Sequence, residues 1–213
     1  MVKFPNPPLA SVLAQIPPII RVVPSGTRLW RVYFQGGRYP TTWNTFRSFG
    51  PVASARFDHH LSVLTDPQRR ILYAATSGPT GIAEVFQATR TIDATARAPW
   101  LVSFDLAAEL HLLDLTSTWP TAAGASSAIN SGPRTRARRW SQVIYEAYPT
   151  VHGLWYASSM YGNTPAIALY ERGEIALPPT PSFHRALDDP VLYRSVRNLA
   201  RTIRYRIVIR WTP

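Results

Sequence analysis

The sequence predicts one α+β domain whose strands pair mainly antiparallel. Its 213 residues are enough for a single domain with its own core. Short runs of β-branched and aromatic residues, typical of strands, are interspersed with segments of helical periodicity. Many connections between the predicted strands are too short for the helical crossover that a parallel pair requires, and this favours antiparallel pairing.

The first predicted elements are a short helix and an aromatic strand. Residues 1–25 are rich in proline, and a short apolar helix is predicted there at 9–16. Residues 29–34 are aromatic and β-branched and therefore predict a strand. Residues 36–55 are rich in Gly, Thr, Ser and Pro, and predict a loop.

A second strand leads into a helix. The strand is predicted at 70–76, and the Ser-Gly-Pro-Thr turn at 77–80 has the character of a helix start. The helix is predicted at 81–89, where apolar residues recur at spacings of three and four. Glu84 lies at the margin of that apolar stripe.

The second half of the chain continues the alternation of strands and helices. The predicted elements are strands at 100–105 and 111–115, a helix at 136–148, a strand pair at 153–158 and 166–170, a helix at 190–200 and a strand at 203–211. In the last strand, apolar residues alternate with arginines, as expected when one face is buried.

Composition excludes several classes of protein. The chain has no Cys, which rules out disulfide bonds and thiolate metal sites, and a cytoplasmic location is expected. No stretch approaches the roughly 20 apolar residues of a membrane-spanning helix, and prolines interrupt the N-terminal residues where a secretory signal would lie. The spacing of the five His residues predicts no metal site, and Gly-rich phosphate loops are absent.

The net charge of +11 is compatible with several partners. Nucleic-acid binding is one of them, but only one of the 23 basic residues is Lys and the arginines are dispersed. An anionic small ligand or an acidic protein fits about as well, because Arg suits bidentate contact with phosphate or carboxylate. The Arg-rich run at 134–139 indicates either an acidic partner surface or simply a solvated helix face.

Glu84 is the most informative acidic residue. It stands in the apolar run 81–86, in a chain with only 12 acidic residues. A Glu is rarely buried without a partner, so this one faces either water or an occupied cleft. In a cleft, a partly desolvated carboxylate stabilises positive charge that develops on a substrate.

Two arginines have both a structural and a functional interpretation. Arg31 stands inside an apolar strand, either as a sheet-edge or ion-paired residue, or as a guanidinium that holds a phosphate or ribose in a cleft. Arg56 precedes Asp58 by two positions, which indicates a local ion pair or a second cleft arginine.

Ser158 and Ser159 stand where the strand at 153–158 ends. Serines in this position are either turn formers or hydroxyl donors to a bound ligand. No Gly-x-Ser-x-Gly motif surrounds them, which argues against a hydrolase nucleophile.

Five short elements occur in a distinctive order along the chain. They are Arg31 in an early strand, Arg56-Phe57-Asp58 in a loop, Leu72-Tyr73 in a strand, Glu84 in a helix and Tyr156-Ala157-Ser158 late in the chain. This order resembles the RES domain, the toxin half of RES–Xre toxin–antitoxin systems, over residues 28–172. The resemblance implies a single domain over 1–213, with an N-terminal extension and a C-terminal helix and strand. Asp58 stands where the family usually has Asn.

The resemblance implies a fold similar to the ADP-ribosyltransferase core, with two packed, mainly antiparallel sheets and helices around an NAD cleft. The implied activity is depletion of NAD+ by cleavage of the nicotinamide–ribose bond, with water or phosphate as acceptor. NAD+ is then a substrate, phosphate a possible co-substrate, and no cofactor or metal is expected. The implied partner is a cognate Xre-like antitoxin, which would supply any DNA contact, so that no direct nucleic-acid or membrane contact is expected.

Residue by residue, the resemblance assigns the catalytic roles to Glu84, Arg31 and Ser158. Glu84 would stabilise the ribosyl cation, and Ser158 would position the ribose or nicotinamide. The NAD-binding residues are expected to be Arg31 and Arg56 on the pyrophosphate, Tyr73 as a stacking ring, Tyr33, and Ser159 as the alternative site serine.

Two other functions remain open on the sequence. An ADP-ribosyltransferase that modifies a macromolecule would use the same cleft with a different acceptor. A non-enzymatic, Arg-rich nucleic-acid-binding module would show strongly salt-dependent binding and no NAD turnover.

Overall fold

The computed structural model describes residues 3–61 and 68–209, and these contain ten strands. In chain order the strands are β1 (Ile20–Val23), β2 (Arg28–Phe34), β3 (Ile71–Ala75), β4 (Thr91–Asp93), β5 (Pro99–Asp105), β6 (Leu110–Asp114), β7 (Gly153–Ala157), β8 (Pro165–Tyr170), β9 (Phe183–Ala186) and β10 (Arg206–Val208). Eight of them form one mixed sheet in the order β1-β6-β7-β8-β3-β2-β5-β9, and β4 and β10 form a small parallel sheet.

Five α-helices accompany the strands in the described residues. They are α1 (Ala10–Leu13), α2 (Gly78–Val85), α3 (Trp119–Ala122), α4 (Arg134–Ala147) and α5 (Pro190–Thr202). Two short 3₁₀ segments lie at Ser127–Asn130 and Glu171–Ala176.

Pairing in the large sheet is antiparallel at six of its seven strand junctions. The exception is the parallel pair of β6 and β7, whose connection contains α3 and α4 and is long enough for a crossover. The α+β class and the mainly antiparallel pairing are confirmed.

The large sheet consists of two halves that are joined by very little main-chain pairing. Within the halves β1-β6-β7-β8-β3 and β2-β5-β9, neighbouring strands pair over three to seven residues. Between β3 and β2, only Trp30 lies in register with a partner, Ala75. Hydrogen bonding thus links into one sheet the strands for which the family resemblance implied two packed sheets.

Helix α2 begins three residues before the predicted start at 81. The Ser77 side chain accepts a hydrogen bond from the Thr80 N–H, and Pro79 lies in the first turn. Such a cap satisfies a backbone donor that the first helical turn leaves free, so the helix begins at Gly78. It ends at Val85 rather than at residue 89.

The sequence predictions missed four of the shortest elements. Strands β1, β4 and β9 and helix α3 have only three or four residues each, too few for a readable period. The strand predicted at 203–211 is shorter, because β10 spans Arg206–Val208 and residues 210 and 211 lie outside the described part of the chain.

The main core lies between the sheet and α4. Ala137, Trp140, Ser141 and Ile144 form the buried face of α4, in agreement with the predicted helix at 136–148. Their neighbours in the core include Tyr156 of β7. In the described residues, no helix has the length and apolar character needed to cross a membrane.

Candidate active site

Glu84 and Ser158 meet although they are distant in the sequence. The Ser158 hydroxyl donates a hydrogen bond to Glu84 Oε1 at 2.5 Å. Ser158 is fully buried, whereas Glu84 remains partly exposed. The Met160 N–H donates to Ser158 Oγ at 3.2 Å, so the hydroxyl oxygen is held from two sides.

The position of α2 brings these two side chains together. Thr80 on α2 and Thr164, between β7 and β8, share a hydrogen bond of 2.7 Å between their hydroxyls. The turn after β7 is closed by two backbone bonds, from the Asn163 N–H to the Ser158 carbonyl and from the Ser158 N–H to the Thr164 carbonyl. These contacts fix α2 beside the end of β7.

The other oxygen of Glu84 contacts an amide that the sequence did not single out. Gln87 Nε2 donates to the Glu84 backbone carbonyl at 2.7 Å and to Oε2 at 3.3 Å. Arg134 Nη2 in turn donates to Gln87 Oε1 at 2.5 Å. One carboxylate oxygen is therefore oriented by a hydroxyl and the other by an amide that an arginine holds in place.

Arg56 shares the electrostatic environment of Glu84. Its Nη1 donates to the Gly132 carbonyl at 2.6 Å. Burial and the nearby positive charge of Arg134 lower the pKa of Arg56, and the negative charge of Glu84 acts in the opposite direction. A positive group and a carboxylate therefore face the same region.

The local ion pair considered between Arg56 and Asp58 is wrong. Asp58 is fully buried and pairs instead with Arg47, whose Nη2 lies 2.8 Å from Asp58 Oδ2. His60 Nδ1 lies 2.5 Å from Oδ1. Burial acts to raise the pKa of Asp58, but the contacts with His60 and Arg47 outweigh it and bring the pKa to about 2. Asp58 is therefore not the partner of Arg56, which donates to Gly132 instead.

Two tyrosines line the same face of the sheet. The Phe57 N–H donates to Tyr73 Oη at 3.2 Å, and the rings of Phe57 and Tyr156 lie 4.8 Å apart. Burial raises the pKa of both phenols, Tyr73 with help from Asp58 and Tyr156 with help from the negative charge of Glu84. Both phenols therefore stay neutral at physiological pH.

Tyr156 was not among the predicted site residues, although a signal was available. Alternation along β7 places Tyr156 and Ser158 on one face of the strand. Gln87 and Arg134 had no such signal, because a contact between a loop amide and a distant helix leaves no spacing pattern in the sequence.

Arg31 lies on the other face of the sheet. Trp30 is directly opposite Ala75 on β3, and a Cβ built on Gly78 of α2 would lie 3.3 Å from the Trp30 ring. Helix α2 thus covers the Trp30 face of β2. Side chains alternate along a strand, so Arg31 and Tyr33 point to the opposite face.

The contacts of Arg31 and Tyr33 agree with that placement. Arg31 Nη1 donates to the Thr45 carbonyl at 3.2 Å, and burial lowers the pKa of Arg31 to about 10. Tyr33 Oη lies 2.5 Å from His184 Nε2 and accepts from Gln35 Nε2 at 2.8 Å.

The structure therefore brings together four of the seven predicted site residues and separates three. Those brought together are Glu84, Ser158, Arg56 and Tyr73. Arg31 and Tyr33 lie on the other face of β2, and Ser159 is exposed beside the buried Ser158. Within residues 3–61 and 68–209, no group of three or more His, Asp or Glu side chains has the arrangement of a metal site.

Comparisons with known proteins give one family match and one similar fold. A family model described as the RES domain matches residues 28–188. Among solved structures, the fold is similar to a chain in the crystal structure of the M. tuberculosis MbcT–MbcA toxin–antitoxin complex, with a TM-score of 0.56 and 16% sequence identity. The similarity covers 89% of this chain and 96% of that chain. No curated protein sequence matches the chain.

Proposed function

Because the chain belongs to the RES domain family, we propose that it is the enzymatic toxin of a toxin–antitoxin pair and depletes NAD+. The observation that carries this proposal is the 2.5 Å hydrogen bond from Ser158 to the Glu84 carboxylate. It unites two of the three residues to which the family resemblance assigns catalysis, and it fixes the carboxylate next to the positively charged Arg56.

The proposed reaction breaks the bond between ribose C1′ and the nicotinamide nitrogen. The electron pair of that bond goes to the nitrogen, and nicotinamide leaves as a neutral molecule. The ribose is left with oxocarbenium character at C1′, as in glycoside hydrolysis. Glu84 stabilises this cation, and an oxygen of water or phosphate then bonds to C1′. Water releases a proton and yields ADP-ribose, whereas phosphate yields the 1″-phosphate of ADP-ribose.

The surrounding residues have supporting roles in the proposal. Ser158 holds the carboxylate and positions the ribose or nicotinamide, and Arg56 binds the pyrophosphate through charge-assisted hydrogen bonds. Tyr73 offers its ring to the nicotinamide or an adjacent ring. Direct contact of Arg31, Tyr33 or Ser159 with NAD+ stays a prediction from the resemblance, and the contacts described above do not support it.

The cleft proposed for NAD+ lies where the two halves of the large sheet meet. In this proposal the halves correspond to the two packed sheets of an ADP-ribosyltransferase-like core within one domain. Helix α2, which carries Glu84, covers the place where Trp30 and Ala75 pair. A site at this point can use side chains from both halves.

The proposed partner is an Xre-like antitoxin that covers the Glu84 cleft. The similar M. tuberculosis structure is described as a toxin–antitoxin complex, which supports a partner of this kind. The net charge of +11 favours an acidic contact surface, because complementary charge speeds and orients association.

The test is nicotinamide release from NAD+ by the purified protein, with and without phosphate. We expect Glu84→Gln to lower turnover by about 100- to 1000-fold, the usual effect of removing one preorganised electrostatic group. The matched control is Glu109→Gln, since Glu109 is exposed and pairs with His111.

Product analysis then separates the acceptors. Free ADP-ribose indicates that water is the acceptor, and its 1″-phosphate indicates that phosphate is. When labelled NAD+ is used, label retained on a macromolecule indicates an ADP-ribosyltransferase. Near-wild-type turnover by a folded Glu84→Gln protein would overturn the assignment of Glu84.

A further inference from the structure

The C-terminal part of the chain lies beyond the family match and is strongly basic. The match ends at residue 188, and α5 and β10 follow it. After Asp189 the sequence has no acidic residue, and it has six arginines, at 194, 197, 201, 204, 206 and 210. More than half of the net charge of +11 therefore comes from this last segment, in which Arg210 lies outside the described residues.

The arginines of α4 bond to other parts of the protein. On α4, Arg134 donates to Gln87, Arg136 to the Phe4 carbonyl, Arg138 to the Ala53 carbonyl at 2.9 Å and Arg139 to Asn6. In the Arg-rich run at 134–139, all four guanidiniums donate to neutral acceptors of other segments, and only Arg139 is exposed. These guanidiniums tie α4 to other segments.

The arginines of α5 differ from those of α4. The buried face of α5 is apolar and consists of Leu192, Val196, Leu199 and Ala200. Arg194, Arg197 and Arg201 recur at spacings of three and four on the exposed face. Arg197 lies 5.9 Å from the centre of the Tyr193 ring.

No described residue forms an ion pair or hydrogen bond with the side chains of Arg194 and Arg201. Arg204 and Arg206, which follow the helix in the sequence, are exposed too. Arg90 is exposed as well, and its carbonyl accepts the Arg206 N–H at 2.8 Å. We call the exposed face of α5 that carries Arg194, Arg197 and Arg201 the C-terminal basic face.

We propose that the C-terminal basic face binds the phosphate backbone of duplex DNA. Along α5, Arg194 and Arg201 are separated by about 10 Å of helix rise. Duplex DNA carries about six phosphates over the same length, so each of the three α5 guanidiniums has phosphates within reach, and no carboxylate lies between them. Arg is suited to this contact because its planar fork binds phosphate oxygens in pairs.

This inference goes beyond the proposed NAD+ chemistry and departs from the expectation that the chain makes no direct contact with nucleic acid. One side of α5 is packed in the core, and the other presents mainly Arg, together with Tyr193 and Asn198. We therefore expect the contact to be made through the charges of the arginines. Phosphate contacts position a protein on DNA but carry no sequence information. Binding is therefore expected to be independent of sequence.

The experiment measures binding of the full-length protein to two fluorescently labelled 24-base-pair duplexes of unrelated sequence at several salt concentrations. We expect both duplexes to bind alike. The slope of log affinity against log salt concentration is negative, because salt weakens the binding. The double substitution Arg194→Gln with Arg201→Gln should make it shallower by about 2, one for each phosphate that is no longer neutralised.

The matched control removes the same charge elsewhere, by Arg28→Gln with Arg38→Gln. Both residues are exposed, one at the start of β2 and the other in the loop after it. Arg28 pairs with Asp105 at the surface, where an ion pair contributes little stability. The control should keep the wild-type slope, and both variants should keep wild-type nicotinamide release and wild-type melting. The inference is overturned if the wild-type protein fails to bind either duplex at low salt, or if the two variants show the same decrease in slope.

Discussion

Ser158 and Ser159 are neighbours in the sequence but differ completely in their surroundings. Ser158 is buried and donates to Glu84 at 2.5 Å, whereas Ser159 is exposed. We expect Ser158→Ala to lower NAD+ turnover by about 100-fold, because it removes a hydrogen bond that orients the carboxylate. Ser159→Ala, made as the matched control, should leave turnover unchanged.

The two serine variants are compared by kcat and KM for nicotinamide release. A decrease in kcat supports a role at the reacting centre, and an increase in KM alone supports substrate binding without it. Equal turnover in Ser158→Ala and the wild-type protein would contradict the assignment of Ser158.

At the scale of single residues, sequence reasoning works where a residue type is unusual for its surroundings. Glu84 stands out because a carboxylate interrupts an apolar run. Gln87 and Arg134 do not, because their contact joins a loop to a helix 47 residues away. The sequence does not distinguish an arginine that donates to a neutral acceptor from an arginine that is solvated.

At the scale of elements, α2 depends on the cap at its first turn. Ser77 Oγ accepts from the Thr80 N–H at 3.2 Å. We expect Ser77→Ala to lower the free energy of unfolding by about 1 kcal/mol, since the first turn then loses the partner of one backbone donor. Ser77→Asp, also a good cap, should restore most of that stability.

Urea unfolding of the three proteins measures this effect. Because α2 carries Glu84, nicotinamide release should fall with Ser77→Ala and recover with Ser77→Asp. Identical unfolding midpoints for Ser77→Ala and the wild-type protein would show that the cap contributes nothing to stability.

Long elements are predicted well from the sequence and short ones poorly, for a physical reason. Helix α4 has 14 residues and β5 has seven, so each shows its period several times. Strands β4 and β9 have three and four residues and exist because a neighbouring strand pairs with them. Such pairing is a long-range property that a local pattern does not contain.

At the scale of the whole molecule, stability should fall in acid. Although burial opposes the change, contacts with His60 and Arg47 bring the pKa of Asp58 to about 2. For Glu171, burial is likewise outweighed by contacts that include His59 and Tyr145, and the pKa is about 2. A carboxyl whose folded pKa lies below its unfolded value stabilises the fold above the unfolded pKa, and this contribution is lost as the pH falls.

We therefore expect the urea midpoint to be constant above about pH 5 and to drop between about pH 5 and pH 2, as these carboxylates become protonated. Asp58→Asn should be less stable at pH 7, because it leaves Arg47 without its buried partner, but should show a shallower drop. An equally steep drop in Asp58→Asn would mean that Asp58 does not contribute to the acid response.

The high net charge is also a property of the whole molecule. Many arginines donate to backbone carbonyls, including Arg31 to Thr45, Arg56 to Gly132 and Arg172 to Tyr145. A carbonyl satisfies the hydrogen-bond donor but does not cancel the charge. Such contacts suit Arg, which has five donors, and the chain contains only one Lys.

The sparse pairing between the halves of the large sheet has a consequence for where the candidate site can exist. The first turn of α2 approaches Trp30 of one half through Gly78, whose lack of a side chain permits the close contact. The same helix bonds to the other half through Thr80 and Glu84, which meet Thr164 and Ser158. These contacts are divided between the two halves of the sheet. Helix α2 therefore connects the halves at the place where β3 and β2 hardly pair. The distance between Glu84 and Ser158 thus reports whether α2 keeps its position beside the end of β7.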